Sequence, residues 1–300
     1  MSDVTGEIAG LTTEQASPDL ADIDTWPTDR LVAAMIDADR GLYDAVAACQ
    51  AEIASAVDQI AERLGRGGRL FYLGAGTAGR LGVLDASEIP PTFGTDPSLV
   101  VGLIAGGPTA ITQAVENAED DRTAAPAQLR ALGLDADDAV VGIAASGRTP
   151  YVLGGLGYAS AMGALTVGVT SNAGSAVGRE AQIAIDVVVG PEFIAGSTRL
   201  RAGTAQKLVL NLLSTLTMVR LGKTYGNRMV DLRATNAKLR ARAEQTVVAV
   251  CGCPPEVARD ALAAAGGHVK TAVLMLLAGV DQAEATRRLE ATQGHLRQAL

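Results

Sequence analysis

The sequence has little of what disulfide frameworks and metal sites require. Its 300 residues contain 3 cysteines and 2 histidines. Cys49, Cys251 and Cys253 do not make a disulfide framework, so a reducing compartment is expected. Cys251 and Cys253 have no second pair beside them, and neither His268 nor His295 has the spacing of a zinc ligand. We therefore expect no metal site.

The charge balance argues against nucleic acid as a partner. Asp and Glu number 33 against 25 Lys and Arg, which gives a formal net charge of −8, and no basic run occurs in the sequence. Nucleic-acid binding is not expected, because it depends on clustered Lys and Arg. An anionic small ligand is still allowed, since a few local donors can outweigh a weak global field.

The sequence also contains no pattern typical of a signal peptide or a membrane span. The opening segment, MSDVTGEIAG, is acidic and has no apolar core. The longest apolar stretch near the C-terminus covers residues 272–280, far below the ~20 residues that a membrane-spanning helix needs. We expect a cytoplasmic protein that binds no membrane.

What the sequence does contain is a regular alternation of apolar runs and helical segments. The lengths of the runs fit buried strands of a parallel sheet. The alternation predicts an α/β fold in which a doubly wound parallel sheet lies between two layers of helices. The predicted strands cover residues 70–73, 99–104, 139–145, 165–170 and 183–189, and the helical segments between them cover 109–117, 149–161 and 175–181.

The two ends of the chain differ from this pattern. Residues 1–26 are polar and predict an arm that becomes ordered against a partner subunit. Near the other end, three short amphipathic segments follow the break at Pro254 and Pro255. We therefore predict a main domain over 1–243 and a small three-helix domain over 244–300, from which Lys270 could reach a neighbouring active site. The three helices are expected near 256–265, 269–277 and 282–291.

The stretch 70–91 predicts a ligand site. Its strand runs into a glycine-rich turn at 74–79, and a helix that starts near Arg80 would direct its positive end at an anion. The turn lacks both the full dinucleotide fingerprint and the lysine of a nucleotide P-loop. Glu88 follows, and we expect Pro90 and Pro91 to end the helix beside it. The combination predicts a site for a phosphorylated small molecule with an acid or base nearby.

Two further loops carry hydroxyl groups next to glycine. Ser146, Gly147 and Thr149 precede a helix and suit phosphate oxygens. The alternative for this loop is an ordinary helix cap at Thr149. Ser197 and Thr198 follow a glycine in the same way, and the alternative for that loop is a helix capped by Ser197 or Thr204.

Carboxylates are concentrated after the second predicted strand. Glu116 and Glu119 are three residues apart, a spacing that would place them near one face of a helix. That strand end would face the same cleft as Glu88, and two carboxylates with different pKa values can divide acid and base work. The alternative is that the acidic run is a solvated helix face.

Several of these stretches, taken together, closely resemble the N-acetylmuramic acid 6-phosphate etherases, a family in the sugar isomerase (SIS) domain group. The resemblance covers nearly the whole chain, including the terminal helices. The matching stretches are 74–81 (GAGTAGRL), 85–92 (DASEIPPT), 102–107 (GLIAGG), 114–120 (AVENAED), 142–151 (GIAASGRTPY), 196–199 (GSTR) and 203–211 (GTAQKLVLN).

The resemblance implies cleavage of the lactyl ether of N-acetylmuramic acid 6-phosphate by elimination and then hydration, with no cofactor. Glu119 would remove the C2 proton, and Glu88 would protonate the departing lactate and later activate water. A homodimer with its active site near the subunit interface is also implied. The residues expected to hold the phosphorylated amino sugar are Gly76, Thr77, Ser146, Gly147, Arg148, Thr149, Ser197, Thr198 and Lys207.

Two departures and two alternatives accompany the resemblance. Relatives usually carry serine where this chain has Ala78 and lysine where it has Arg201, which bears on affinity more than on the reaction class. A sugar-phosphate sensor without turnover, or an aldose–ketose isomerase, would use the same fold. The presence of both Glu88 and Glu119 favours the etherase, because a sensor has no use for a matched acid and base.

Overall fold

The computed structural model describes residues 10–231 and 237–300. These residues fall into two compact units, each assembled from two segments of the chain. The first unit comprises Met1–Ser87 with Ser98–Ser214, and the second comprises Glu88–Pro97 with Thr215–Leu300. The division of the chain at residues 243 and 244 stays a prediction.

The first unit is built on a five-stranded sheet, which confirms the predicted α/β fold. Its strands lie in the order β2-β1-β3-β4-β5, and every neighbouring pair is parallel. All residues of β1, β3 and β4 are buried, as expected for apolar runs covered on both faces. The strands are β1 (Leu70–Gly74), β2 (Val100–Ile104), β3 (Ala139–Ala144), β4 (Leu165–Thr170) and β5 (Ile183–Asp186).

Helices flank this sheet and also make up most of the second unit. In the described residues they are α1 (Thr28–Ala38), α2 (Leu42–Ala47), α3 (Gln50–Gly65), α4 (Gly76–Phe93), α5 (Thr109–Thr112), α6 (Ala124–Ala131), α7 (Pro150–Ala161), α8 (Ala176–Glu180), α9 (Arg201–Arg220), α10 (Ala237–Cys251), α11 (Pro255–Ala264), α12 (Val269–Ala278), α13 (Gln282–Ala291) and α14 (Leu296–Ala299).

Small residues let α7 pack closely against the sheet. A Cβ at Gly142 of β3 would lie 2.6 Å from the Val152 Cγ1, and a Cβ at Gly155 would lie 2.2 Å from the Leu73 Cδ1. Val152 and Leu73 belong to the buried core on this face, together with Leu156. The close approach fixes the start of α7, which directly follows the loop at 145–149.

The expectation that Pro90 and Pro91 end a helix is wrong. Helix α4 begins at Gly76, earlier than predicted, and continues through both prolines to Phe93. Neither proline has an N–H to donate to the carbonyl four residues before it, so the helix lacks two backbone bonds there and still is not interrupted. The Gly94 N–H donates to the Pro90 carbonyl oxygen (2.9 Å), and Gly94 itself has a φ of +64°. The helix therefore ends at a left-handed glycine, which is a common C-terminal signal.

The helix predicted over 109–117 is also wrong for most of its length. Helix α5 stops at Thr112, and Ala118–Asp120 form a separate 3-10 turn. Asn117 has a φ of +60°, a left-handed conformation that interrupts a right-handed helix. Glu116 and Glu119 therefore do not share a helix face.

The N-terminal segment has more structure of its own than expected. Residues 12–25 contain the 3-10 turns Thr12–Glu14, Pro18–Leu20 and Ile23–Thr25. Thr13 is fully buried against residues of the same chain. This part of the arm is thus anchored within its own chain, and ordering of the arm against a partner subunit stays a prediction.

The second unit has a core of its own, to which Val247, Ala272 and Leu289 contribute. Its helices α11, α12 and α13 match the three predicted amphipathic segments, while α10, α14 and the short hairpin of β6 (Thr224–Tyr225) and β7 (Arg228–Met229) were not foreseen. Taken singly, no helix in the described residues is long and apolar enough to cross a membrane, and α11 with α12, bent by 113°, meets that criterion only as a pair.

Candidate active site

The strand order identifies one edge of the sheet as a binding crevice. From the interior strand β1 the chain passes first to β2 on one side and then to β3 on the other. In open parallel sheets, ligands bind beyond the carboxyl ends of the strands at such a change of direction. The loops that leave β1 and β3 are the two glycine-containing loops predicted to hold phosphate.

The first loop is reduced to a single residue between β1 and α4. A Cβ at Gly74 would lie 2.5 Å from the Gly79 nitrogen, so the strand and the helix can approach only because this residue has no side chain. Gly76 has a φ of +53°, and Thr77 follows it in the first turn of α4. The turn therefore directs the positive end of an 18-residue helix toward the crevice.

Thr77 lies beside the third loop. A Cβ at Gly203 would lie 3.2 Å from the Thr77 Cγ2 and 3.4 Å from the Thr198 carbonyl oxygen. The structure thus brings Thr77 and Thr198 together, although more than a hundred residues separate them in the chain. Gly203 belongs to α9, and Lys207 is exposed on that helix about one and a half turns after its start.

The loop after β3 has at its centre a left-handed conformation that favours glycine. Gly147 has a φ of +68°, and a Cβ there would lie 2.2 Å from the Ser175 Cβ. The Gly147 carbonyl oxygen accepts a hydrogen bond of 2.8 Å from the Val177 N–H. Thr149 occupies the N-cap position of α7, but its side chain makes no capping hydrogen bond. The Thr149 hydroxyl therefore does not cap α7, contrary to the alternative considered for this loop.

The start of helix α9, which follows the loop after β5, is capped by a residue that the sequence pattern did not identify. Both oxygens of the buried Glu192 carboxylate accept hydrogen bonds at the start of α9, from the Arg201 N–H (2.8 Å) and the Ala202 N–H (3.0 Å). Capping by Ser197 or Thr204 is therefore wrong. Glu192 lies too far before the helix for a local capping motif to reveal it.

The acidic segment after β2 lines a cavity of about 440 Å³ within the first unit. Glu116, Glu119 and Asp120 all contribute to its wall, together with Gly76 and Arg80. The structure thus brings Glu119 and the first glycine loop to the same space. All three carboxylates are exposed.

Arg80 fixes the start of this acidic segment. Its Nε donates to the Ile111 carbonyl oxygen (3.0 Å) and its terminal nitrogen donates to the Gln113 carbonyl oxygen (3.3 Å). A guanidinium group suits this task because it presents several donors in a rigid plane. Neither contact has a local sequence signal.

Glu88 does not lie on a loop. It is an exposed residue in the fourth turn of α4, and it belongs to the second unit. That Glu88 and Glu119 face the same cleft stays a prediction.

Comparison with known proteins decides the family. The SIS domain family model matches residues 111–216, and the model of the glucokinase regulatory protein N-terminal SIS domain matches residues 52–160. The N-acetylmuramic acid 6-phosphate etherase of Streptomyces avermitilis is 58% identical over 98% of this chain and 94% of that protein. That of Mycolicibacterium smegmatis is 53% identical over 98% of this chain and 99% of that protein.

The chain belongs to the N-acetylmuramic acid 6-phosphate etherase family. The resemblance stated from the sequence motifs is confirmed, and the chain is an enzyme of the carbon–oxygen lyase class. The sensor and isomerase alternatives are not favoured. Among solved structures, the phosphoheptose isomerase of Neisseria gonorrhoeae is 19% identical and covers 64% of this chain and 97% of its own, with a TM-score of 0.47.

The etherase-family chain also contains a buried polar cluster that sequence reasoning missed. Asp85 of α4 accepts hydrogen bonds from the Tyr72 hydroxyl (3.0 Å), the Asn211 amide (2.8 Å) and the Ser214 hydroxyl (3.2 Å). Burial raises the pKa of Asp85 above its ordinary value, while the three donors and, more weakly, Lys207 oppose that shift. The cluster joins β1, α4 and α9 inside the first unit.

Lys270 lies at a separate cavity of about 580 Å³ within the second unit. Its Nζ is 2.8 Å from an Asp231 oxygen, and the Lys223 Nζ is 2.9 Å from the same oxygen. Burial lowers the pKa of Lys270, although Asp231 acts in the opposite direction. The role of Lys270 at a neighbouring active site stays a prediction.

Proposed function

We propose that this etherase cleaves the lactyl ether of N-acetylmuramic acid 6-phosphate with water, giving N-acetylglucosamine 6-phosphate and D-lactate. The observation that carries the proposal is identity of 58% to an etherase over nearly the whole of both chains. The reaction would serve the recycling of cell-wall sugar in the cytoplasm.

The reaction needs a base, an acid and donors for developing charge. The open-chain sugar presents an aldehyde at C1, so a base can remove the C2 proton to give an enolate. Expulsion of lactate from C3 leaves an unsaturated aldehyde, and water then adds at C3. Positioned carboxylates contribute to such proton transfers, and fixed donors stabilise the enolate oxygen.

The phosphate group is assigned to the three hydroxyl-bearing loops at the sheet edge. Ser146, Gly147 and Thr149 precede the 12-residue helix α7, whose positive end favours an anion. Thr77 lies at the corresponding end of α4, near Thr198, which supports a shared site. We include Gly76, Arg148, Ser197 and Lys207 in this site as predicted from the family motifs.

We assign the base for the C2 proton to Glu119. Its position on the wall of the cavity that also contains Gly76 supports the assignment. Asp120 follows it directly and lines the same cavity, so it is the carboxylate from which Glu119 must be distinguished.

We assign the acid for departing lactate to Glu88, supplied by the second subunit of a homodimer. The family resemblance implies a homodimer with its active site near the subunit interface, and this motivates the assignment. In a twofold-symmetric dimer each site would then combine loops of one subunit with Glu88 of the other.

Conservative variants test these roles. E119Q is expected to lose both deuterium exchange at C2 and D-lactate release by about 10²- to 10⁴-fold, the usual contribution of a positioned base. E88Q is expected to lose D-lactate release while exchange continues. NMR of the sugar in deuterated solvent and an enzymatic D-lactate assay measure the two steps. Loss of exchange in D120N with exchange retained in E119Q would make Asp120 the base and our assignment wrong.

The same variants test the shared site. Mixing inactive E88Q and E119Q chains under conditions that allow subunit exchange should restore about a quarter of wild-type activity, because half of the dimers would contain one intact site. No recovery, with exchange of subunits shown by light scattering of a tagged copy, would place Glu88 and the loops in one chain.

A further inference from the structure

The N-terminal turn Thr12–Glu14 is hydrogen-bonded to two separate regions at the sheet edge. The Thr12 N–H donates to the Asn172 Oδ1 (2.8 Å), and the Asn172 Nδ2 donates to the Thr13 hydroxyl (3.2 Å). The Gly196 N–H donates to the Thr13 carbonyl oxygen (3.1 Å). Thr13 thus contacts both the end of β4 and the residue directly before Ser197.

Asn172 extends this connection to the loop after β3. Its Nδ2 also donates to the Ala145 carbonyl oxygen (2.9 Å), which accepts a second bond from the Ser171 N–H (3.0 Å). Ala145 directly precedes Ser146. A continuous path of hydrogen bonds therefore runs from Ala145 through Asn172 and Thr13 to Gly196, and we call it the Thr13–Asn172 bridge.

The bridge is buried, so its geometry is well defined. Thr13 is 0% exposed and Asn172 is 5% exposed. A buried polar group without a partner is costly, which favours the one arrangement in which the hydroxyl, the amide and the backbone groups are all paired. The loops at 145–149 and 196–198 come from different parts of the chain, and the bridge holds one at a fixed distance from the other.

We propose that Thr13 and Asn172 are positioning residues for substrate phosphate. They make no contact with it, but they set the separation of Ser146–Thr149 from Ser197 and Thr198. Oxyanion donors must be held within about 0.5 Å of their productive positions, so a loosened bridge weakens phosphate binding. The inference rests on the proposed function, because it takes these two loops as the phosphate site.

The bridge predicts a specific kinetic pattern. Thr13→Val keeps the shape of the side chain but removes the hydroxyl acceptor, and Asn172→Ala removes the path altogether. We expect KM to rise about fivefold in T13V and about tenfold or more in N172A, with kcat within about twofold of wild type. T13S restores the hydroxyl and should restore KM.

A matched control separates positioning from a loss of stability. Thr166 is also 0% exposed, and its hydroxyl accepts a hydrogen bond of 3.0 Å from the Gln182 N–H near the start of β4, at the opposite end of the sheet from Asn172. Thr166→Val should lower Tm by about as much as T13V while KM stays at the wild-type value. Equal KM in T13V, N172A and T166V would overturn the proposal.

Measuring ligand binding directly tests the bridge without relying on catalytic turnover. The Kd of N-acetylglucosamine 6-phosphate, measured by calorimetry, should rise in T13V and N172A by the same factors as KM, and inorganic phosphate should compete less well. If the wild type released no D-lactate, the proposed function would fail, whereas the bridge would still be judged by Kd. An unchanged Kd in both variants would overturn the bridge even with normal wild-type turnover.

Discussion

Asp85 is the residue on which three donors converge, and its replacement should destabilise the fold. Asp85→Ala leaves the Tyr72 hydroxyl, the Asn211 amide and the Ser214 hydroxyl without their acceptor, so we expect a loss of about 2–4 kcal/mol in the free energy of unfolding. Asp85→Asn keeps the volume and one carbonyl oxygen, and its amide can donate to the Tyr72 oxygen. We expect less than about 1 kcal/mol for D85N, measured by urea unfolding.

The same residue predicts a pH dependence. Burial raises the folded-state pKa of Asp85 above its ordinary value of 3.8, so the folded state binds more protons than the unfolded state between the two values. The free energy of unfolding of the wild type therefore falls as pH rises above 3.8 through the folded pKa, and it levels off beyond. D85N lacks this component, so its stability relative to wild type should improve with rising pH. Parallel curves for the two proteins would contradict the assignment.

Single residues also show where sequence reasoning had no signal. Glu192 caps α9 across the loop that carries Ser197, and Asp85 meets its partners on two other elements. Such contacts are made by the fold rather than by spacing along the chain. The glycines and hydroxyls of the loops were predictable, because their task depends on local backbone shape.

At the scale of elements, the loop after β3 gives a sharp prediction. Gly147→Ala meets both a φ of +68° and a Cβ contact of 2.2 Å with Ser175. Gly133 has nearly the same φ, +65°, with open space around it. G133A should therefore cost about 1 kcal/mol of backbone strain, with KM unchanged. G147A should in addition raise KM by at least about tenfold, because the loop must move to relieve the contact.

The result for this pair is read from unfolding and from kinetics. Urea curves report the shared backbone strain, and KM reports the displacement of the loop. Equal KM values for G147A and G133A would mean that the exact position of Gly147 is unimportant for substrate.

Strands were more predictable than helices. Central parallel strands are continuous apolar runs, so Leu70–Gly74 and Leu165–Thr170 stand out in the sequence. The segment at 109–117 looked helical, but the left-handed Asn117 divides it, and asparagine adopts that conformation without an obvious local signal. The prolines of α4 misled in the opposite direction: they predicted the end of a helix, and the helix continues through both of them to Phe93.

At the scale of the whole molecule, the family and the fold followed from the sequence, while the arrangement of the chain did not. Each compact unit combines two segments, and the helices α4 and α9 pass from one unit into the other. A change in sequence composition along the chain suggests one boundary between domains, and it does not reveal that each unit combines two separate segments. The homodimer and the contribution of Glu88 from the second subunit remain proposals for the same reason.

The measurement that tests the central claim most directly is the reaction of the wild-type chain with N-acetylmuramic acid 6-phosphate in ¹⁸O-labelled water. Elimination breaks the bond between C3 and the ether oxygen, so D-lactate should appear without label. The new oxygen should be found on C3 of N-acetylglucosamine 6-phosphate by mass spectrometry of fragments. Label in the lactate hydroxyl, or no D-lactate at all, would contradict the account.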